Sequence, residues 1–270
     1  MSFDDDTALT PDGENRWLGT LADGWDTPRG PLGGYVLALM LRAFELSVTD
    51  PERTARSVTA HFLRAPTAGP ISVTSTVERE GRSLSSLSGR LEQDGKLIGL
   101  GLAAYSKPWV SPLLGDASMP EVDPPDETRP PFGGESRPNQ PPPFTQRLTM
   151  QHRFGEPPFS GADRAETGGW LGLCDRRPLD SLVIALLADA WFPAPWPRLT
   201  ELAPAPTIDF TIHFRTSLPL PDSLLLGRFH TRLVRDGFFE EDGELWAPDG
   251  TLVAQSRQLA LLLGAQVPAG

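Results

Sequence analysis

The dipeptide His61-Phe62 recurs as His213-Phe214, 152 residues further along the chain. Arg79-Glu80-Gly81 is matched by Arg235-Asp236-Gly237 and Asp94-Gly95 by Asp249-Gly250, at offsets of 156 and 155. Three matches in one order at nearly one spacing point to an internal duplication, in which each half builds its own supersecondary unit. Between the halves, Pro108 to Pro143 holds eleven prolines among acids and glycines. Proline removes a backbone donor and fixes φ, so no helix or central strand is predicted there. The stretch reads as an interdomain linker, partly polyproline II. The predicted organisation is one unit over 1–107, a linker over 108–143 and a second unit over 144–270.

Both units run in the same order. In the first, Gly33-Gly34 opens YVLALMLRAFELS, of helical length, with Arg42 and Glu45 its only charges. A helix apolar nearly all round is buried. Strand patterns follow at Ser57–Ala65, Ile71–Glu80, Ser83–Gln93 and Lys96–Ser106, the last two joined by the Asp94-Gly95 turn. In the second, an apolar helix is predicted over Asp180–Trp191, with Pro178 ahead of it and Pro193 ending it. Strand patterns follow at Thr207–Ser217, Leu224–Asp236, Phe238–Pro248 and Thr251–Leu263. Arg16–Leu21 in the first half, and Phe144–Phe154 and Gly169–Cys174 in the second, supply strands ahead of the helices. A long apolar helix wrapped by one antiparallel sheet is the hot-dog arrangement. The predicted fold is α+β, a tandem (double) hot-dog.

Composition narrows the chemistry. One cysteine, Cys174, in 270 residues excludes an intramolecular disulfide and a zinc site of several thiolates, and it fits a reducing cytoplasm. Met1–Asp12 is polar and acidic, without the basic and apolar regions of a signal peptide. The longest apolar runs, Tyr35–Ala43 and Leu182–Ala188, are too short to span a bilayer, so no membrane partner is expected. A net charge of −11 with no Lys/Arg cluster argues against nucleic acid. It also weighs mildly against an anionic ligand. His61, His152, His213 and His230 show no metal-ligand spacing, and neither a metal nor a cofactor is expected. Asp209, Thr211 and His213 alternate with Ile208, Phe210 and Ile212 as a polar strand face, with an Asp–His pair the alternative. Gly81-Arg82-Ser83-Leu84-Ser85 misses the G-x-S-x-G elbow in its last residue and lies at a strand turn. Gly99 to Ala104 spells G-x-G-x-x-A inside a strand, with no helix after it.

Asp189 is the most informative polar residue. It falls in the last turn of an otherwise apolar helix, where the macrodipole disfavours a carboxylate by roughly 0.3–1 kcal/mol. A partly desolvated carboxylate has a raised pKa and can act as a general base or orient a water. A solvated aspartate at a frayed helix end is the alternative.

The stretches GPLGGYVLALMLRA, HFLRAPTAGPISVTSTVEREGRSLSS and the strand ending at Tyr105 in the first half, with LLADAWFPA, PTIDFTIHFR and DGTLVAQSRQLALL in the second, resemble the acyl-CoA thioesterase II type. That family is a double hot-dog group of the thioesterase-like superfamily. The resemblance covers most of both halves and leaves out the linker. It implies hydrolysis of acyl-CoA, or another acyl thioester, to free acid and CoA. It also implies a water positioned by an aspartate on the second helix, a threonine opening the next strand and a glutamine on the last strand. These fall on Asp189 in LADA, Thr207 in PTID and Gln258 in SRQLA. Where some members carry a histidine in the first-half strand, this chain has Thr59. Such chemistry needs donors for an oxyanion. The N–H groups of Gly33, Gly34 and Tyr35 at a helix N-terminus are candidates, although the glycines could equally serve only to turn the chain. Asp189 has no acidic counterpart in the apolar body of the first helix, so one catalytic centre per chain is expected. A non-catalytic acyl-thioester or lipid-binding hot-dog protein is the alternative. A hydratase is weaker, because no His–Asp dyad has the expected spacing. A homodimer is compatible with the sequence.

Overall fold

The computed structural model describes residues 2–132 and 141–265. The first half begins with a short helix α1 (Phe3–Asp6), β1 (Thr10–Pro11), β2 (Arg16–Leu21) and a small ladder of β3 (Asp26–Thr27) with β4 (Gly30–Pro31). Helix α2 (Gly33–Ser47) comes next, then β5 (Thr54–Phe62), β6 (Gly69–Glu80), β7 (Leu84–Gln93) and β8 (Lys96–Ser106). The second half has β9 (Leu148–Gly155), β10 (Glu166–Leu173), α3 (Ser181–Leu187), β11 (Thr207–Phe214), β12 (Leu225–His230), β13 (Val234–Arg235), β14 (Phe238–Trp246) and β15 (Leu252–Leu261). Most of the longer strands lie within a few residues of their predicted positions, and Arg16–Leu21 and Lys96–Ser106 match to the residue. The predicted strand Leu224–Asp236 instead breaks after His230 into β12 and β13, and the predicted start at Phe144 is a 3-10 turn over Pro143–Arg147 that precedes β9. The short elements α1, β1, β3 and β4 carry too few residues to show a periodicity.

All the longer strands join one antiparallel sheet, in the order β1-β2-β6-β7-β8-β5-β11-β15-β14-β12-β10-β9, with β13 on β14. The halves meet where β5 pairs with β11. Thr59 is opposite Thr211, with their hydroxyls 2.9 Å apart, and His61–Asp209 and Ser57–His213 flank them. His61 and His213 are exposed.

Helix α2 buries ten of its residues and packs on α3, β6 and β7, as its apolar sequence requires. All seven residues of α3 are buried, and Asp180 caps it by accepting from the Leu182 and Val183 N–H groups at 3.1 and 3.0 Å. This helix is shorter than the predicted Asp180–Trp191. After Leu187 the chain tightens, with the Asp189 and Ala190 N–H groups bonding three residues back to Leu186 and Leu187. Asp189 therefore lies in the turn beyond the helix. The carbonyl end of the helix still faces it.

Residues 108–132 form no helix or strand, as the prolines dictate; the part of the predicted linker at 133–140 lies outside the described residues. The stretch docks on the second half. Gln151 exchanges hydrogen bonds with the Asp126 backbone, Arg153 donates to the Asp123 and Pro124 carbonyls, and the Trp170 indole donates to Asp123 O at 2.8 Å. Met119 and Val122 pack on Trp170, Leu224, Leu226 and Trp246. Among the described residues, no helix is long and apolar enough to cross a membrane.

Candidate active site

The N-terminus of α2 has no local side-chain cap, because Leu32 stands at the N-cap position. A helix leaves its first N–H groups without internal partners. Here the partner comes from the turn after α3: the Gly34 N–H donates to Asp189 Oδ2 at 2.7 Å. Gly34 permits the contact by lacking a side chain. A Cβ there would stand 2.7 Å from Ala185 O, 2.9 Å from Asp189 Cβ and 3.0 Å from Leu186 O. A Cβ on Gly33 would lie 3.0 Å from Asp189 Oδ2 and 3.4 Å from the Phe62 ring.

Burial pushes the Asp189 carboxyl up to about 7, and the Gly34 bond opposes that rise. Desolvation therefore outweighs the hydrogen bond. A carboxylate tuned this way is ionised in a large fraction near neutral pH yet basic enough to take a proton.

The Thr207 hydroxyl donates to Gln258 Oε1 at 2.6 Å, and Gln258 Nε2 donates to Glu241 Oε1 at 2.7 Å. Glu241 Oε2 accepts from the Ala194 N–H at 2.6 Å. Gln258 and Glu241 are buried cross-strand neighbours on β15 and β14. Burial pushes Glu241 up to about 7, its bonds from Ala194 and Gln258 oppose this, and the negative charges of Asp189 and Asp242 add to it. Thr207 and Gln258 are thus in direct contact. Asp189 bonds to α2 and reaches the group through its field on Glu241.

Sequence reasoning missed Glu241, although a signal existed. Phe239, Glu241, Gly243 and Leu245 share one buried face of β14. A glutamate in phase with core residues is a marked departure from a half-buried strand's alternation.

Of the three candidate oxyanion donors, two N–H groups are already engaged. Gly34 serves Asp189, and the Tyr35 N–H donates to Leu32 O at 3.1 Å. The Tyr35 ring stacks on Trp25 with centroids 5.1 Å apart, and its hydroxyl donates to Asp6 O at 2.8 Å and accepts from the Ala22 N–H at 3.0 Å. These contacts fix its large buried ring. Gly33 is left as the candidate donor in the first turn of α2.

The opposite end of the helix pair carries a second acid. Glu45, in the last turn of α2, accepts from the Ser181 hydroxyl at the start of α3, beside a cavity of about 200 Å³. Strand register compares the two places. Ala55 pairs with Tyr105 as Thr207 pairs with Ala260, and Ala103 faces Val58 and Leu87 as Gln258 faces Phe210 and Glu241. The first half thus has Ala55, Ala103 and Leu87 where the second has Thr207, Gln258 and Glu241, and it lacks the polar chain. Among the described residues, no cluster of three or more histidines, cysteines or acids is arranged to hold a metal.

Comparison with known proteins adds independent information. The model of the acyl-CoA thioesterase N-terminal domain matches residues 21–106, and that of the acyl-CoA thioesterase C-terminal domain matches residues 120–262. A hot-dog protein of unknown function from Alicyclobacillus acidocaldarius is 28% identical, with 99% of this chain and 98% of that one covered and a TM-score of 0.85. The acyl-CoA thioesterase II TesB2 of Mycobacterium marinum shares the fold at 19% identity, with 100% and 99% covered and a TM-score of 0.75. No curated protein matches the sequence.

Proposed function

The chain belongs to the acyl-CoA thioesterase family and is a thioester hydrolase, and on that premise we propose that it cleaves acyl-CoA with a water held by Asp189, Thr207 and Gln258. The observation that carries the reading is the carboxylate of Asp189, desolvated, raised to about 7 and held against the start of α2. In the same reading the chain is a tandem of two hot-dog units over 1–107 and 144–270, each sheet wrapped about its own helix. The lone thiol of Cys174 favours the cytoplasm.

The chemistry proceeds as follows. The thioester carbonyl lies at the first turn of α2, with the Gly33 N–H toward its oxygen. Asp189 takes a proton from the water as the oxygen attacks the carbonyl carbon. The N-terminal turn of α2 stabilises the negative charge that develops on the carbonyl oxygen. Collapse of the tetrahedral species breaks the carbon–sulfur bond. CoA leaves as a thiolate and recovers the proton from Asp189, giving carboxylic acid and free CoA.

The test is release of free thiol from acyl-CoAs of graded chain length by wild type and Asp189→Asn. Thiol release by wild type, with loss in the variant, supports the assignment. Equal rates on every chain length would sink it.

A further inference from the structure

We propose that Glu241 is a positioning residue: its carboxylate fixes the Gln258 amide with Nε2 turned toward Glu241 and Oε1 toward Thr207, and so decides which atoms of Gln258 and Thr207 meet the attacking water. The proposal rests on the reading of Asp189, Thr207 and Gln258 as the site.

Hydrogen-bond capacity sets the orientation of the Gln258 amide. An ionised carboxylate only accepts, so it must face the amide nitrogen of Gln258. With Nε2 drawn 2.7 Å from Glu241 Oε1, the amide oxygen is left for the Thr207 hydroxyl, which donates to it at 2.6 Å. Each group then has one defined capacity left. Gln258 keeps its second Nε2 hydrogen as a donor, and Thr207 Oγ1 keeps its lone pairs as acceptors. A water that accepts from Gln258 and donates to Thr207 and Asp189 has one lone pair free for the carbonyl carbon. Without Glu241 the amide could turn over, and the polarity of the chain would no longer be set.

The fold itself does not ask for a carboxylate at this position. Its counterpart in the first half is Leu87, 1% exposed, and the strands pair there in the same register. Glu241 is 6% exposed, sits on a face shared with Phe239 and Leu245, and is anchored from behind by the Ala194 N–H. A buried carboxylate is costly to the fold, which an apolar residue avoids.

The charges bearing on Glu241 come from two places. Asp189 approaches from the turn after α3, and Asp242 is its neighbour on β14. Asp242 is itself paired with Arg257 on β15, with further contacts to His230 and Arg232. The two acids raise Glu241, so removing its charge relieves Asp189 in turn.

Glu241→Gln tests the proposal. A glutamine can keep its oxygen on Ala194 and present Nε2 to Gln258, which turns the Gln258 amide over. The expected result is a fall in kcat of about ten-fold or more with KM little changed, as for loss of an interaction made in the transition state. The acid limb of the pH–rate profile is expected to move to lower pH. A folded variant with wild-type kcat and an unmoved acid limb overturns the proposal. A second measurement needs no Glu241 variant. In wild type labelled with 15N-glutamine, the Gln258 side-chain amide, assigned by its loss in Gln258→Leu, is expected to show two well-separated, slowly exchanging protons above pH 7. A pair averaged to ordinary glutamine values overturns the proposal as well. If Asp189→Asn is as active as wild type, the site reading fails. If that variant is inactive while Glu241→Gln behaves as wild type, only the role of Glu241 fails.

Discussion

Gly34 N lies 2.7 Å from Asp189 Oδ2, so a residue in the turn beyond one buried helix caps the start of the other across 155 positions of sequence. The bond joins the two halves of the chain at the candidate centre. It holds the carboxylate where a helix N-terminus offers donors.

If Asp189 is the base, Asp189→Asn lowers kcat by about 10²–10⁴-fold. KM and the circular dichroism spectrum are expected to change little. Wild-type activity is expected to rise with pH through an apparent midpoint near 7, because the base must be ionised to take a proton. Glu241 titrates in the same range, so the midpoint belongs to the pair. Steady-state rates across pH check both points, and a flat acid limb counts against the assignment.

The same substitution is expected to stabilise the protein. Asp189 has an ordinary value of 3.8 and a folded value of about 7. Below the lower value both folded and unfolded chains hold the proton and nothing is gained or lost. Between the two, the native state keeps a proton that the unfolded state releases, so stability falls as pH rises, and the loss is complete above the upper value. Asp189→Asn should therefore melt higher than wild type at about pH 8, with the gap closing toward about pH 4. Each kcal/mol reads as about 2–4 °C in a chain of this size. Calorimetry at the two pH values decides it, and a lower melting point at the higher pH would mean that the Gly34 bond outweighs burial.

Gly34→Ala and Gly33→Ala should separate packing from chemistry. Alanine gains about 1 kcal/mol of helix propensity over glycine. At Gly34 the new methyl meets the backbone oxygens of Ala185 and Leu186, which cannot swing aside. Over-packing is expected to win, with a net loss of about 1–3 kcal/mol. At Gly33 the obstacle is the Asp189 carboxylate, a side chain that can move. That variant is expected to keep its stability and lose kcat. Denaturant melts with parallel kinetics distinguish the two.

Thr207→Val keeps the shape of the side chain and removes its hydroxyl. The Gln258 oxygen then loses its donor, at a cost of about 1–3 kcal/mol, and the water loses an acceptor. Both stability and kcat are expected to fall. Thr207→Ser restores the hydroxyl and should recover most of kcat. Failure of serine to do better than valine would assign Thr207 to packing.

Much of the fold was legible because its signals are local. The Asp94-Gly95 hairpin turn, the alternation along β8 and the apolar length of α2 each state their structure in a short window. The end of α3 was less so, because a tightening turn after Leu187 leaves the apolar pattern running on through Ala188 and Ala190. The packing of Tyr35 was hidden for a related reason: its partners Trp25, Asp6 and Ala22 lie upstream in loops and short elements without periodicity. Glu241 required knowing which face of β14 is inward, a tertiary fact that only the phase of Phe239 and Leu245 hints at.

Strand β10 is buried at every position after Glu166, without the alternation of a sheet that faces water on one side. The proline-rich stretch explains this by lying over the outer face, where it encloses Trp170 together with Leu226 and Trp246. Residues 108–132 carry five acids against one arginine. The sheet that would have met solvent as a patch of tryptophan and leucine meets it as a band of carboxylates. Trp170 and Trp246 thus lie beneath residues 119–127, which carry four acids and no base, so this face meets neighbouring molecules with like charge, while Trp109, Val110, Leu113 and Leu114 earlier in the stretch stay exposed.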